Sequence, residues 1–190
     1  MAGVLESIKA EYLRYRALAE GAMAQLTDAE LSADGPNGGN SIAVICWHLS
    51  GNFASRFTDF LTSDGEKPWR QRESEFEPRA TTREELQARW NGGWAILLDA
   101  LAPLTDADLT RTVLLRGQPF LVHEALLRSL AHVAYHTGQI VYLAKAQRGT
   151  AWQYLSIPPG QSEAYNRDPS RDRASSHSAA LGGPSAGGGS

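Results

Sequence analysis

The chain has 190 residues, of which 42% are hydrophobic and 21% are charged, a composition typical of a globular protein. Its net charge of −3 offers no basic surplus for phosphates, which disfavours nucleic-acid binding. The chain has one cysteine, which excludes an internal disulfide. No stretch reaches the ~18 apolar residues of a membrane span, and charges near the N-terminus disfavour a signal peptide. We therefore expect a cytoplasmic protein with neither a nucleic-acid nor a membrane partner.

Four segments carry apolar residues at helical spacing. The first spans residues 3–26, and a Gly- and Asn-rich loop at Ser32–Asn40 separates it from the second, about Ser41 to Leu61. The third opens with a capping-box pattern and covers about Thr82–Leu101, and the fourth covers about Pro119–Gln147. Four such helices predict an all-α fold, a four-helix bundle.

The segments between and after these helices have distinct compositions. A polar connector at Ser63–Ala80 is long for a compact domain, and such loops are often functional. Residues 110–116 favour a short strand or an edge hairpin. Residues 1–166 are predicted to form one domain, followed by a disordered Gly- and Ser-rich tail at 167–190.

His132 and His136 lie four positions apart on the fourth predicted helix. At about 100° per residue both imidazoles leave the same helix face, which is the spacing that a divalent transition metal needs. His123 is rotated by about 180° from His132 and should point away. No Glu follows His132, so this is not the zinc-protease pattern.

His48, on the second predicted helix, is the candidate third ligand. Cys46 lies on the opposite side of that helix within an apolar run, which favours a buried structural thiol. Three neutral imidazoles suit zinc, nickel or a similar divalent ion and leave one position open, as in catalytic sites. The alternative is that these are ordinary histidines of a helical core.

Phrases from several parts of the chain, taken in order, resemble the DinB/YfiT-like superfamily. The chain is most similar to a bacterial subgroup that carries an Asp-Gly-Glu-Lys-Pro-Trp loop, found here at 64–69. The phrases are residues 40–52, 59–70, 132–142 and 155–160, and the resemblance covers about residues 5–166.

This resemblance implies a four-helix bundle of up-down-down-up topology, often a homodimer, with a metal site at one end. The superfamily's three metal-binding histidines fall on His48, His132 and His136 of this sequence. Zinc and nickel are the metals usually proposed. Characterised members include transferases of low-molecular-weight thiols, in which the metal holds the sulfur of the thiol as thiolate.

Our leading hypothesis is a metal-dependent transferase that joins a low-molecular-weight thiol to a small electrophilic substrate. Asn52, Arg56 and Gln139 are candidate pocket residues because they lie near the histidine-bearing faces, and the Asp64–Arg70 loop is placed to cover the site. Metal-assisted hydrolysis is a second hypothesis. It needs a base close to the metal, and the candidate Asp59 lies about 16 Å from His48 along the helix, which is too far for direct contact. A third is a non-enzymatic, dimeric metal-binding stress-response protein.

Overall fold

The computed structural model describes residues 3–183 as a mostly helical chain with one small hairpin. The helices agree with the all-α prediction in its broad sense, whereas the four-helix-bundle topology stays a prediction. The helices are α1 (Val4–Met23), α2 (Asp28–Ser32), α3 (Ile42–Phe57), α4 (Arg83–Leu101), α5 (Val122–Arg148), α6 (Ser162–Arg167) and α7 (Ala174–Ala180), and the strands are β1 (Thr112–Leu115) and β2 (Gln118–Leu121).

The chain forms two compact units. One is Thr27–His132, which holds α2 to α4, the hairpin and the first turns of α5. The other combines the residues up to Leu26 with those from Val133 onward. Helix α5 is one unbroken element that belongs in part to each unit.

Within Thr27–His132, α3 and α4 pack against each other around aromatic side chains. The rings of Phe53 and Trp94 meet edge to face at 5.0 Å, and all but a trace of their surface is buried. Both helices begin at side-chain caps, since Ser41 accepts from the Val44 amide and Thr82 forms the predicted capping box. The capping residues in the sequence therefore begin the same two helices whose buried aromatic side chains pack together.

The structure corrects two predicted helix ends. The second predicted helix ends at Phe57 rather than Leu61, because Thr58 is extended and Asp59 has a φ of +51°. The fourth begins at Val122 rather than Pro119, because Pro119 pairs with Leu114 in the hairpin.

The short strand or edge hairpin expected at residues 110–116 contains β1, which pairs antiparallel with β2. Leu115 pairs with Gln118, so Arg116 and Gly117 form a two-residue turn. Both have positive φ angles, +53° and +71°, as a tight hairpin turn of this length requires.

The unit built from both chain ends contains α1 and α7. The buried face of α1 includes Leu5, Ile8 and Tyr12. We expected residues 167–190 to be disordered; within this range α7 packs against α1, and the Ser178 hydroxyl donates to the Leu13 carbonyl oxygen at 3.4 Å. Residues 184–190 lie outside the described residues.

None of the described helices combines the length and the apolar composition that a bilayer-spanning helix requires.

Two neighbouring glycines of α4 offer a test of the α3–α4 packing. A Cβ added at Gly93 would lie 2.7 Å from the Cα of Ser50, whereas one at Gly92 would meet nothing within 4 Å. We expect Gly93→Ala to lower the free energy of unfolding by about 1–3 kcal/mol through overpacking. Gly92→Ala should raise it by about 0.5–1 kcal/mol, since alanine is the better helix former. Urea unfolding measures both, and equal stability of the two variants would contradict this packing.

Candidate functional site

The unit Thr27–His132 brings two of the predicted histidines into contact. His48 comes from α3 and His132 from α5, and their Nε2 atoms are 3.1 Å apart. The two rings meet edge to face, with centroids 5.1 Å apart. His48 is only 4% exposed, so its ring is largely shielded from solvent.

Helix α5 carries the third histidine one turn further along. His136 is buried, and one nitrogen from each of His48, His132 and His136 lies within 4.8 Å of the other two. The structure thus gathers the three histidines that the sequence singled out into one cluster.

The hydrogen bonds of two imidazoles indicate which nitrogen carries the proton. His48 Nδ1 lies 2.9 Å from the Glu75 carboxylate, which only accepts, so Nδ1 donates and, in the neutral imidazole, Nε2 is the nitrogen with the free lone pair. His136 Nδ1 lies 2.7 Å from the side-chain oxygen of Gln139, which assigns its proton in the same way. Each ring therefore presents Nε2 as the nitrogen able to coordinate a cation.

Glu75 is the residue that the sequence analysis missed. It lies in a short 3₁₀ helix within the polar connector, is 5% exposed, and accepts from Arg70 Nε at 2.8 Å and Arg70 Nη2 at 2.9 Å as well as from His48. Burial raises the pKa of Glu75, but the hydrogen bonds from His48 and Arg70 and the charge of Arg70 outweigh it and hold the pKa below its usual value. Glu75 is therefore a carboxylate that orients the His48 ring.

Gly51 makes room for this carboxylate. It lies on α3 in the turn after His48, and a Cβ at this position would collide with the Glu75 side chain. Any larger residue would push Glu75 away from the imidazole. The glycine is thus explained by the close approach of Glu75 rather than by a backbone conformation.

The donor set fits a divalent transition metal. Nitrogens bound at 2.0–2.1 Å to a tetrahedral zinc ion lie about 3.3 Å apart, close to the 3.1 Å between His48 and His132. A carboxylate that accepts from the non-coordinating nitrogen of a histidine is the usual support of such ligands, and Glu75 supplies it.

His123 and Cys46 do not belong to this cluster, as predicted, and neither does His177. His123 Nδ1 is 3.0 Å from the Leu109 carbonyl oxygen, and His177 Nε2 is 2.8 Å from that of Leu155. Cys46 is fully buried, and burial raises the pKa of its thiol far above the usual range. It is not a nucleophile near neutral pH.

A cavity of about 570 Å³ opens beside the histidine pair. His48 and His132 form part of its wall, together with polar, apolar and arginine side chains. The remaining lining residues are Asn52, Arg56, Phe57, Phe60, Arg70, Arg72, Leu115, Arg116, Ala125, Arg128 and Ser129. Its size suits a small molecule.

The three predicted pocket residues occupy two kinds of position. Asn52 and Arg56 line the cavity, as their place on the His48 face of α3 indicates. Gln139 contacts His136 instead of forming part of the described lining. A role of any of them in binding a substrate stays a prediction.

The Asp64–Arg70 loop is anchored to the hairpin. Asp64 accepts from the backbone amides of Glu66 at 2.7 Å, Arg116 at 2.8 Å and Gly117 at 2.6 Å. The amide of Gly65 donates to the Leu114 carbonyl oxygen at 2.8 Å. The loop therefore holds the hairpin turn, and with it Arg116, at the cavity wall.

The anchoring by Asp64 predicts a pH-dependent stability. Hydrogen bonds from the amides of Glu66 and Gly117 are the main reasons why the pKa of Asp64 lies below its usual value of 3.8. Its contribution to stability is therefore complete above that value and is lost as the pH falls through the lower, folded-state pKa. Asp64→Asn should lower the free energy of unfolding most at pH 7. The difference in this free energy between the variant and wild type should shrink below about pH 4.

Chemical unfolding at several pH values measures this difference, and Asp34→Asn is the control, because the exposed Asp34 makes none of these contacts. If the free energies of unfolding of wild type and Asp64→Asn differ by the same amount from pH 7 to pH 3, the anchoring role is contradicted.

Comparison with known proteins assigns the chain to a family. The model of a family described as "Protein of unknown function (DUF1572)" matches residues 2–161, a range that includes all three clustered histidines. No curated protein matches the chain. Because the family match covers most of its length, the chain belongs to the DUF1572 family.

Proposed function

We propose that the protein is a metal-dependent enzyme that transfers a low-molecular-weight thiol to a small electrophilic substrate. His48, His132 and His136 would bind a divalent ion, with zinc or nickel the best matches to three imidazoles. The observation that carries the proposal is the convergence of these nitrogens beside a cavity large enough for a small molecule.

A bound metal would lower the pKa of a coordinated thiol and keep its sulfur nucleophilic near neutral pH. The chain's own residues hold the imidazoles in place. Glu75 fixes the ring of His48, and Gln139 fixes the ring of His136. His48 and His136 are buried, which limits the access of water to these two imidazoles.

The cavity favours transfer over hydrolysis. A metal-dependent hydrolase needs a nearby base for water, usually a carboxylate, and the described lining contains none. Glu75 is already engaged by His48 and Arg70. Asp59 is exposed beyond the end of α3 and is absent from the lining, so it does not serve this role.

The resemblance to the DinB/YfiT-like superfamily supports the same proposal. It accounts for the helical fold, for the position of each histidine and for thiol transfer as the chemistry. The four-helix bundle of up-down-down-up topology and the homodimer belong to this proposal as well. Two tyrosines of α5, Tyr135 and Tyr142, are 64% and 69% exposed and are candidates for a dimer contact.

The first prediction concerns metal content. Protein purified without a histidine tag should contain close to one equivalent of zinc or nickel, and His132→Ala should lose most of it, because one of three ligands is gone. Elemental analysis by mass spectrometry measures both. His123→Ala is the matched control on the same helix, and it should keep the metal because His123 contacts the Leu109 carbonyl group instead.

Equal metal content in the His132→Ala and His123→Ala proteins, or none in wild type after addition of zinc, would rule out the metal centre. Unfolding of the wild-type protein on chelation would instead support the non-enzymatic alternative, in which the metal is structural.

The second prediction concerns the reaction. The metal-loaded protein should accelerate conjugation of a thiol with 1-chloro-2,4-dinitrobenzene, and the rate should depend on which of cysteine, glutathione, bacillithiol or mycothiol is supplied. Absorbance of the conjugate measures the rate, with the His132→Ala protein as the blank. Turnover of ester substrates at a rate independent of any thiol would favour the hydrolase instead.

A further inference from the structure

Five guanidinium groups lie in the wall of the cavity beside the histidines, and the described lining includes no carboxylate. They come from α3, from the polar connector, from the hairpin turn and from α5, so the fold gathers them from four separate segments. They belong to Arg56, Arg70, Arg72, Arg116 and Arg128.

The charges around Arg56 are incompletely balanced. One oxygen of Glu66 accepts from both Arg56, at 3.2 Å, and Arg116, at 2.9 Å, so a single carboxylate serves two guanidinium groups. The pKa of Arg56 lies below its usual range, first because the group is partly buried and then because Arg70 and Arg116 repel it, against the opposing effect of Glu66. A further anion would relieve this repulsion.

The Arg128 guanidinium and the Ser129 hydroxyl, in the same cavity wall, are two further groups able to bind a ligand. Arg128 has no carboxylate partner within residues 3–183, and its guanidinium lies 6.0 Å from the centre of the Phe120 ring. Ser129 is 9% exposed, and its buried Oγ has no hydrogen-bond partner among the described residues. An oxyanion in the cavity could accept hydrogen bonds from both this hydroxyl and this guanidinium, since both residues line it.

We propose that this cavity binds the oxyanion group of a small organic molecule, a carboxylate or a phosphate, through Arg116, Arg128 and the Ser129 hydroxyl. Ser129 lies one helical turn before His132, so the anion would be bound next to the histidine cluster. That the anion is a group of the transferase substrate rests on the proposed function, whereas the binding itself does not.

The rest of the wall indicates the size and character of the molecule. The cavity wall also includes the apolar side chains of Phe57, Phe60 and Leu115. A volume of about 570 Å³ accommodates a small organic body in addition to the charged group. The ligand class is therefore a small organic acid or phosphate ester rather than a polymer.

Isothermal titration of the full chain with succinate and with inorganic phosphate tests the proposal. The titrations use low ionic strength, because salt screens exposed charges, and are made before and after chelation of metal. We expect at least one anion to bind at a single site, and Arg128→Gln to weaken it about ten- to hundredfold, as for a lost hydrogen bond between charged groups. The anion that binds more tightly identifies the carboxylate or the phosphate class.

Arg89→Gln is the matched control, since Arg89 is also an exposed helical arginine but does not line the cavity. It should leave the affinity unchanged, and the neutral analogue succinamide should not bind. Arg116→Gln should weaken binding as well, which gives a second variant should Arg128→Gln fail to fold.

Three results would overturn the inference: no binding of either anion, equal weakening by Arg89→Gln, or binding that requires metal and ignores both Arg128→Gln and Arg116→Gln. Anion binding that depends on Arg128 in a protein that takes up no metal would uphold the inference while the proposed metal-dependent function fails.

Discussion

The buried carboxylate of Glu75 is the interaction on which the arrangement of the site depends. It accepts from His48 on one side and from two nitrogens of Arg70 on the other, at distances of 2.8–2.9 Å. Removing such a charge from water is costly, and loss of one partner from a buried pair typically costs about 3–5 kcal/mol. The carboxylate therefore remains in place only because both partners hold it.

The role of this buried pair is orientation rather than net stability. Replacing buried ion pairs by apolar residues is often neutral for stability, so the presence of Glu75 needs another reason. That reason lies in the imidazole, because a carboxylate on Nδ1 fixes both the proton and the direction of the opposite nitrogen. Gly51 fits this view, since α3 has no side chain at this position, where the Glu75 side chain packs against the helix.

The sequence predicted the parts of the site that follow from helical periodicity. His132 and His136 lie four residues apart on one helix, so a period of 3.6 residues is enough to place them together. The same projection correctly set His123 apart from them. The approach of His48 did not follow from periodicity, because it depends on how α3 meets α5; the sequence offered His48 as a histidine on a second helix, and the family resemblance implied the same ligand.

Glu75 and the arginines of the cavity wall could not be predicted from the sequence, for a different physical reason. Glu75 lies in a connector without periodicity, so no local pattern distinguishes it from the neighbouring Glu73, which is almost fully exposed. The cavity arginines come from four separate segments, which meet only through tertiary contacts such as the docking of the Asp64 loop on the hairpin turn. Their shared function is a property of the folded surface, not of any segment.

Neutral imidazoles suit a cavity of this charge better than carboxylates would. Carboxylate ligands in the same place would attract the surrounding guanidinium groups and occupy the positions that an anionic molecule would use. Imidazoles bind a cation without neutralising Arg116 or Arg128. Glu75 acts on the cluster only through Nδ1 of His48, whereas Nε2 faces His132. The Glu75 carboxylate is thereby held by Arg70 and His48, and Arg128, which has no carboxylate partner among the described residues, is left for a ligand of opposite charge.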